Sequence, residues 1–480
     1  MRIALIKPAN DGILGLELIT LVEPLGLECV AGVLERDGHE VRIIDLRLDG
    51  FEKGMAKCER YAPELVGFQC NFTTERYRLV RATREVRRRV PGAFTLVGGH
   101  DCSRDPHWFT DTSIDAVAIG DGEEIVAGIV NAVERRSDLA TVPGMMLNTA
   151  NGPKFTPPST ARSALDTLPL PARHLIGEYA DQYYINFRKP LALLETARGC
   201  PFSCNFCSVW KFHDSTFRMK SAMQVVRELE TIGAPNIFVT DDIFWMHHAR
   251  SLEMARVIRD SGIRKFYTVQ TRTDIICKFP ELIDEWRACG NLAVFLGVEK
   301  VDDAGLASVN KLNKASHNER AIAILKERDV GFTCNFIVDP TWRREDFQKL
   351  KDWIEAHATY NSGFSILTPL PGTDLWDEAR TNVNTQDWEL FDIVHSVLPT
   401  ALPIDEFYQE YSALWRHALK VRYQHRGRAR MYVQLVAGLA AGKVNLTMVR
   451  RGWNMAKIMG EPTTFLRQHE ESAARVQTAA

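Results

Sequence analysis

The chain has 480 residues, 45% of them hydrophobic and 25% charged, a length that suits two or three domains and a composition that excludes a disordered, collagen-like or disulfide-scaffold protein. Its 59 Lys and Arg against 61 Asp and Glu give a formal charge of −2, so the overall balance gives no reason to expect nucleic acid or an acidic partner. No apolar run reaches the eighteen or so residues that span a bilayer, and MRIALIKPAN is not a secretory signal, so the ten cysteines are expected as thiols or metal ligands in a reducing cytoplasm.

Over residues 1–140 short β-type runs alternate with helical patterns, the signature of a doubly wound parallel sheet. The strands expected are RIALIKP, HEVRIIDL, ELVGFQC, AFTLVGG and IDAVAIG, with helices over 26–37, ended by Gly38, and 75–90, ended by Pro91. Ligands of such sheets bind beyond the carboxyl ends of the strands, which here carry Gly98-Gly99-His100 and Gly120-Asp121-Gly122-Glu123. No G-x-G-x-x-G follows the first strand, which removes the main support for a nicotinamide cofactor.

Residues 141–189 turn rich in Pro, Ser and Thr and read as a linker. From Leu191 a second βα series begins, with strands expected at LALLETA, NIFVTDD, KFYTVQT, LAVFLGVE, FTCNFIVD and FSILTPL. Six units suggest a partial (β/α)6 barrel over 190–394, whose catalytic groups gather at the strand carboxyl ends. Residues 395–480 read as helical. The fold class is thus α/β, a flavodoxin-like domain, a partial barrel and a helical carboxyl-terminal region.

Directly after the first barrel strand, ARGCPFSCNFCSVW sets Cys200, Cys204 and Cys207 in C-x3-C-x2-C spacing. Three thiolates so close together are ligands rather than a disulfide framework. Zinc would want a fourth ligand, for which His213 is the nearest candidate; a 4Fe-4S cluster held by three cysteines would leave one iron open. The spacing, with Phe206 between the last two cysteines, resembles the signature of the radical S-adenosylmethionine enzymes. That resemblance implies that the open iron chelates S-adenosylmethionine, and that reduction by an external one-electron donor yields a radical able to take hydrogen from unactivated carbon. It also implies S-adenosylmethionine contacts at Phe206, at Asp241 and Asp242, where the family often has Gly-Gly-Glu, at Gln270 and Arg272 ending the third strand, and at Glu299. The glycine-rich adenine motif expected after the fifth strand is poorly matched by CNFIVDP. A zinc-stabilised, non-enzymatic cobalamin sensor is the alternative from a different class.

A flavodoxin-like domain before such a barrel resembles the cobalamin-binding branch of that family, on EPLGLECVAGVLERDGHEVRIIDL, LVGGHD and GDGEE. The resemblance implies cobalamin over the carboxyl edge of the first sheet, near Pro24, Leu25, Gly26, Gly98, Gly99, His100, Gly120, Asp121, Gly122 and Glu123. The other seven cysteines are dispersed and read as small buried hydrophobes.

From Arg416 to Gly460 there are ten Lys or Arg and no Asp or Glu, which leaves about −12 on the rest of the chain. Interleaved with apolar residues, this segment suits peripheral contact with an anionic membrane, or a helical cap answering an acidic exterior. No nucleic-acid module is present, so no nucleic acid is expected. The order of cobalamin-type domain, CSVWKFHDSTFR, VTDDIFW, LTPLPGTDLW and basic tail resembles the hopanoid C-3 methylase group. That implies methylation of an unactivated carbon in a hydrophobic polycyclic lipid, with Phe244, Trp245 and Trp210 as candidate apolar contacts. A tetrapyrrole cyclase or methylase is the alternative within the class.

Overall fold

The computed structural model describes residues 1–9, 20–160, 162–359, 361–440, 444 and 446–479. These form two units, one built mainly from Glu23–Ala180 and the other mainly from Asp181–Phe217 and Ser221–Ala480.

In the first unit β1 (Arg2–Lys7) is buried at every residue after Arg2, as suits a strand covered on both faces. It lies between β2 (Glu40–Asp45) and β3 (Leu65–Gln69), and β4 (Phe94–Gly98) and β5 (Ala116–Ala118) follow in parallel. The order 2-1-3-4-5 is flavodoxin-like, with its switch point between β1 and β3. The connecting helices are α1 (Leu25–Arg36), α2 (Phe51–Tyr61), α3 (Arg76–Arg89), the short α4 (His100–Arg104) and α5 (Gly122–Arg135). Helix α1 packs beside α5, and α2 beside α3. On the α2–α3 face the core includes Ile6, Ile44, Phe68, Leu79, Val86 and Val97, each contributing about 1.5–3 kcal/mol by burial. Helix α1 stops where the sequence places the break: Gly38, at φ +87°, donates to the Glu35 carbonyl, and His39 donates to that of Leu34, a left-handed cap that suits glycine.

The segment read as a linker from residue 141 divides. Strands β6 (Met145–Thr149) and β7 (Gly152–Phe155) form a hairpin that extends the first sheet antiparallel from β5. Met145 and Met146 are buried, whereas Pro153 lies on the outermost strand, where a missing N–H costs no ladder bond.

The second unit holds six parallel strands in sequential order: β8 (Leu191–Leu194), β9 (Asn236–Val239), β10 (Lys265–Arg272), β11 (Gly290–Glu299), β12 (Gly331–Val338) and β13 (Ser362–Ile366). Between them run α6 (Ala222–Thr231), α7 (His248–Asp260), α8 (Glu281–Ala288), α9 (Ala315–Glu327) and α10 (Arg344–Ala356). This is the expected partial barrel. Along β11, Leu292, Val294, Leu296 and Val298 are buried while the alternate residues are not, and Phe295 is 37% exposed. The helix-facing side is therefore filled, and the concave side is left open.

Four helices close the chain: α11 (Ile404–Arg426), α12 (Arg428–Ala440), α13 (Leu446–Met459) and α14 (Pro462–Ala479). Helix α11 packs on α10 and α14, with the Tyr408 ring stacked on Phe465 at 4.9 Å. Lys443 of the basic segment lies outside the described residues. No helix among the described residues is long and apolar enough to cross a membrane.

Candidate active site and cofactor sites

In the second unit the chain leaves β8 at Leu194 and enters the cysteine loop. Gly199 has φ +91°, and a Cβ there would lie 2.1 Å from the Thr216 carbonyl oxygen, so only glycine lets the chain turn into Cys200. Cys204 is buried and Cys200 and Cys207 half-buried. The loop is clamped by later elements: Asn310 Nδ2 donates to the Ser203 carbonyl at 2.6 Å, Asn205 Nδ2 to that of Ser308 at 3.1 Å, and the Leu375 N–H to that of Asn205 at 3.0 Å.

Burial pushes all three thiols up, Cys207 to about 12, and neighbouring cysteines raise Cys200 and Cys207 further. Against this, backbone N–H groups of Phe202 and Val209 favour the Cys200 and Cys207 thiolates, and Lys311 and Arg272 favour that of Cys204. Three mutually repelling sulfurs with such support call for a cationic centre. No group of three or more His, Cys, Asp or Glu side chains among the described residues closes on a single metal ion. Three cysteine donors without a fourth protein ligand fit a 4Fe-4S cluster with one iron left open.

The S-adenosylmethionine candidates other than Phe206 lie at strand carboxyl ends, but in unequal states. Asp241 is buried, and burial pushes its carboxyl up to about 7 although it accepts hydrogen bonds. Its donors are the Thr196 hydroxyl, the Thr196 N–H at 2.6 Å and the Ala197 N–H at 3.0 Å, so it ties down the start of the cysteine loop. Asp242 is exposed as a residue, yet burial of its carboxyl pushes it up to about 6 although it accepts from the Gly199 N–H at 2.9 Å; it is the more accessible carboxylate of the pair. Gln270 Nε2 donates to the Asp241 carbonyl at 2.9 Å. Arg272 is buried, pairs with Asp274 at 2.9 Å, donates to the Lys311 and Leu312 carbonyls, and lies 3.7 Å over the Phe202 ring. That places Arg272 as a brace of the cysteine loop. Glu299, at φ +64° beside a register shift in β11, accepts from Lys311 Nζ at 2.9 Å. Phe206 is half-buried within the loop.

Sequence reasoning missed Lys311, Thr196 and Phe295; Lys311 sits in a turn with no periodic signal. The aromatic candidates are also corrected. Phe244 and Trp245 are 1% and 2% exposed, and Phe244 packs on Trp286 at 4.8 Å, so both belong to the core, while Trp210 Nε1 donates to the Cys204 carbonyl at 3.2 Å. Phe295 is an aromatic left exposed on the concave face.

In the first unit the cobalamin candidates meet along the carboxyl edge. Gly99, at φ +116°, brings its backbone so near β3 that a Cβ would lie 2.5 Å from the Cys70 carbonyl oxygen. The His100 N–H donates to Asn71 Oδ1 at 3.3 Å, and the Gly120 N–H to Ser103 Oγ at 3.1 Å, which ties the Gly98–His100 and Gly120–Glu123 loops together through α4. At Gly26 a Cβ would lie 2.5 Å from Gln69 Nε2 and at Gly122 one would lie 3.1 Å from Val30, so Pro24 and Leu25, opening α1, lie on the same edge. Asp121 pairs with Arg218 at 2.5 Å, and Glu123 is buried, so both support the edge rather than project from it. A buried polar network that the sequence did not disclose underlies it: Lys7 pairs with Glu75, and Asp101 binds Arg76 at 2.6 Å and Arg104 at 2.9 Å. The glycine-lined edge and its rigid base fit a large flat cofactor.

The B12 binding domain family matches residues 13–130, and the radical SAM superfamily matches residues 194–354. The chain belongs to the cobalamin-dependent radical SAM methyltransferases and uses a 4Fe-4S cluster, S-adenosylmethionine and cobalamin. Among its relatives, the hopanoid C-3 methylase of Methylococcus capsulatus is 32% identical over 94% of this chain and 86% of its own length. The anaerobic magnesium-protoporphyrin IX monomethyl ester cyclase of Rubrivivax gelatinosus is 26% identical, covering 87% and 77%. The fold is shared with OxsB bound to aqua-cobalamin and S-adenosylmethionine (TM-score 0.70, 14% identity, 99% of this chain and 80% of that one). It is shared also with TsrM from Kitasatospora setae bound to tryptophan and aza-SAM (TM-score 0.67, 18% identity, 87% and 89%).

Proposed function

We propose that the enzyme methylates an unactivated carbon of a hydrophobic polycyclic lipid of the hopanoid type. The observation that carries this reading is the likeness to the hopanoid C-3 methylase, which extends over 94% of the chain. When bound, the cluster and S-adenosylmethionine supply a hydrogen-abstracting radical, and cobalamin supplies the methyl group.

In this reading Cys200, Cys204 and Cys207 hold the cluster, and Asp242, Gln270 and Glu299 orient S-adenosylmethionine on the concave face. Asp241, Lys311 and Arg272 hold those groups in place, and Phe295 offers apolar contact to the substrate. The edge formed by Pro24–Gly26, Gly98–His100 and Gly120–Glu123 takes cobalamin. An external one-electron donor reduces the cluster. Val433, Val436, Leu446 and Trp453, all more than 60% exposed on α12 and α13, support peripheral contact of these basic helices with an anionic membrane.

Expression in a hopanoid-making host that lacks its own C-3 methylase, followed by lipid mass spectrometry, tests the substrate. A gain of one CH2 in the polycyclic lipids that requires cobalamin is expected. Its absence, with a methylated tetrapyrrole instead, would move the assignment to the cyclase-like branch.

A further inference from the structure

At the end of the barrel opposite the cysteine loop, the amino-terminal ends of β9–β12 border a cavity of about 880 Å³. Glu299 lies about 26 Å along β11 from Asn291 at ~3.3 Å per residue, so the cavity lies well away from the groups proposed to orient S-adenosylmethionine, and its nearest approach to the proposed substrate face is Ala293, two residues from Phe295. Its charged lining is lopsided: Arg188, Lys189, Arg264, Lys265 and Arg287 face it against one carboxylate, Asp329.

The ordinary role for cations in this place is to cap helix ends, and two of the five do so. Lys265 Nζ donates to the Ile232 and Ala234 carbonyls at 2.7 and 2.9 Å, beyond the end of α6, and Arg264 donates to the Ala288 carbonyl at 3.2 Å, closing α8. Carbonyls satisfy the hydrogens but leave the charge uncancelled. Arg188 is not used even that far. Its guanidinium lies 3.8 Å over the Phe266 ring, its Nε is buried with no hydrogen-bond partner, and none of the described ion pairs includes it. Burial alone shifts Arg188 and Lys265, both downward, with no carboxylate to offset it. A half-buried cation kept without a counter-charge costs stability, and an anion in the cavity would relieve that cost.

The rim adds an apolar side. Phe187 lines the cavity and is 41% exposed, and a Cβ at Gly452 would lie 3.3 Å from its ring. Helix α13 is thereby seated at the mouth, with Arg451 4.6 Å over the Tyr184 ring and Trp453 exposed.

We propose that this cavity is a second binding site, for a phosphate-bearing ligand, held by Arg188 and Lys189 with Arg264 and Arg287 at the rim. Planar guanidinium groups in a concave site suit phosphate oxygens, which they bind in pairs. The phosphate is carried by a soluble phosphoester or by the headgroup of an anionic lipid on which α13 rests.

The test uses the full-length, cluster- and cobalamin-loaded enzyme. Inorganic pyrophosphate binding is measured by calorimetry, and co-sedimentation with vesicles of phosphatidylcholine alone or with 30 mol% phosphatidylglycerol is measured in parallel. Binding in at least one arm is expected, with a dissociation constant raised at least tenfold by Arg188→Gln/Lys189→Gln and by the exposed pair Arg264→Gln/Arg287→Gln, while cluster and cobalamin absorbance stay unchanged. Pyrophosphate binding without vesicle binding assigns a soluble ligand, and vesicle binding that pyrophosphate competes away and both double variants weaken assigns a headgroup. No binding in either arm, or binding that both double variants leave intact, overturns the proposal.

Discussion

Lys311 shows how much of this site rests on a single side chain. It is buried, and burial works against its charge, yet Glu299 and Cys204 together hold its ammonium above the ordinary lysine range. Removing one partner of a buried pair leaves the other uncompensated, at a cost of about 3–5 kcal/mol. Lys311→Met is therefore expected to lose stability of that order, measured by urea denaturation followed by tryptophan fluorescence, and to retain less iron after anaerobic reconstitution. Lys311→Met/Glu299→Gln is expected to regain most of the stability without regaining methylation. A double variant as unstable as the single one would show that Lys311 acts by packing. Gly297 belongs to the same arrangement, since a Cβ there would lie 2.6 Å from Glu299 Oε1 and 3.0 Å from Lys311 Nζ. The three cysteines proposed as cluster ligands were legible because they stand at short spacing in one loop. Lys311 was not legible because its role depends on a turn of left-handed Asn310 and Leu312 that no periodic pattern announces.

At the scale of elements, the strands of both sheets were readable because fully covered parallel strands leave short apolar runs between amphipathic helices. The β6–β7 hairpin was not, because half its residues face solvent and its Gly and Pro mimic a linker. The packing of α14 on α11 was likewise hidden, and it depends on protonation. His395 Nε2 meets Gln468 Oε1 at 3.0 Å and its Nδ1 lies 2.9 Å from Asp392, while the Tyr408 hydroxyl is hydrogen-bonded to His469 Nε2 at 2.7 Å. Burial, with His395 nearby, lowers His469 to about 4. A histidine whose folded value is depressed binds its proton more readily when unfolded, so its stabilising contribution is present above its unfolded value of about 6.5 and is lost as pH falls through about 4. From pH 7 to pH 5 the expected loss is about 2 kcal/mol. Limited proteolysis of the carboxyl-terminal helices should accelerate over that interval, and His469→Gln should flatten the dependence. An equal acceleration in the variant would place the sensitive group elsewhere.

For the whole molecule, the near-neutral sum of −2 conceals a chain assembled from differently charged parts, and the ten cysteines divide in the same way into the three proposed as cluster ligands and seven others, five of which are fully buried at 0–1% exposure. More consequential is that each proposed cofactor site lies within one unit that has its own sheet and core. The cysteine loop is anchored by Asp241, Asn310 and Leu375, all in the second unit, and the glycine edge by Cys70, Asn71 and the Asp101 network, all in the first. Cofactor loading should therefore be separable by mutation although catalysis is not. Cys200→Ala/Cys204→Ala/Cys207→Ala is expected to bind no iron and to make no methylated product, yet to keep cobalamin with a dissociation constant within about twofold of the parent, a change under roughly 0.5 kcal/mol. Gly99→Val forces a β-branched side chain onto a positive φ with a carbonyl 2.5 Å from its Cβ. It should lose cobalamin while reconstituting a full complement of iron. Iron analysis and cobalamin absorbance on the same anaerobic preparations decide the matter. If either variant loses both cofactors while its circular dichroism is unchanged, the two sites depend on each other for assembly, and independent loading of the units is wrong.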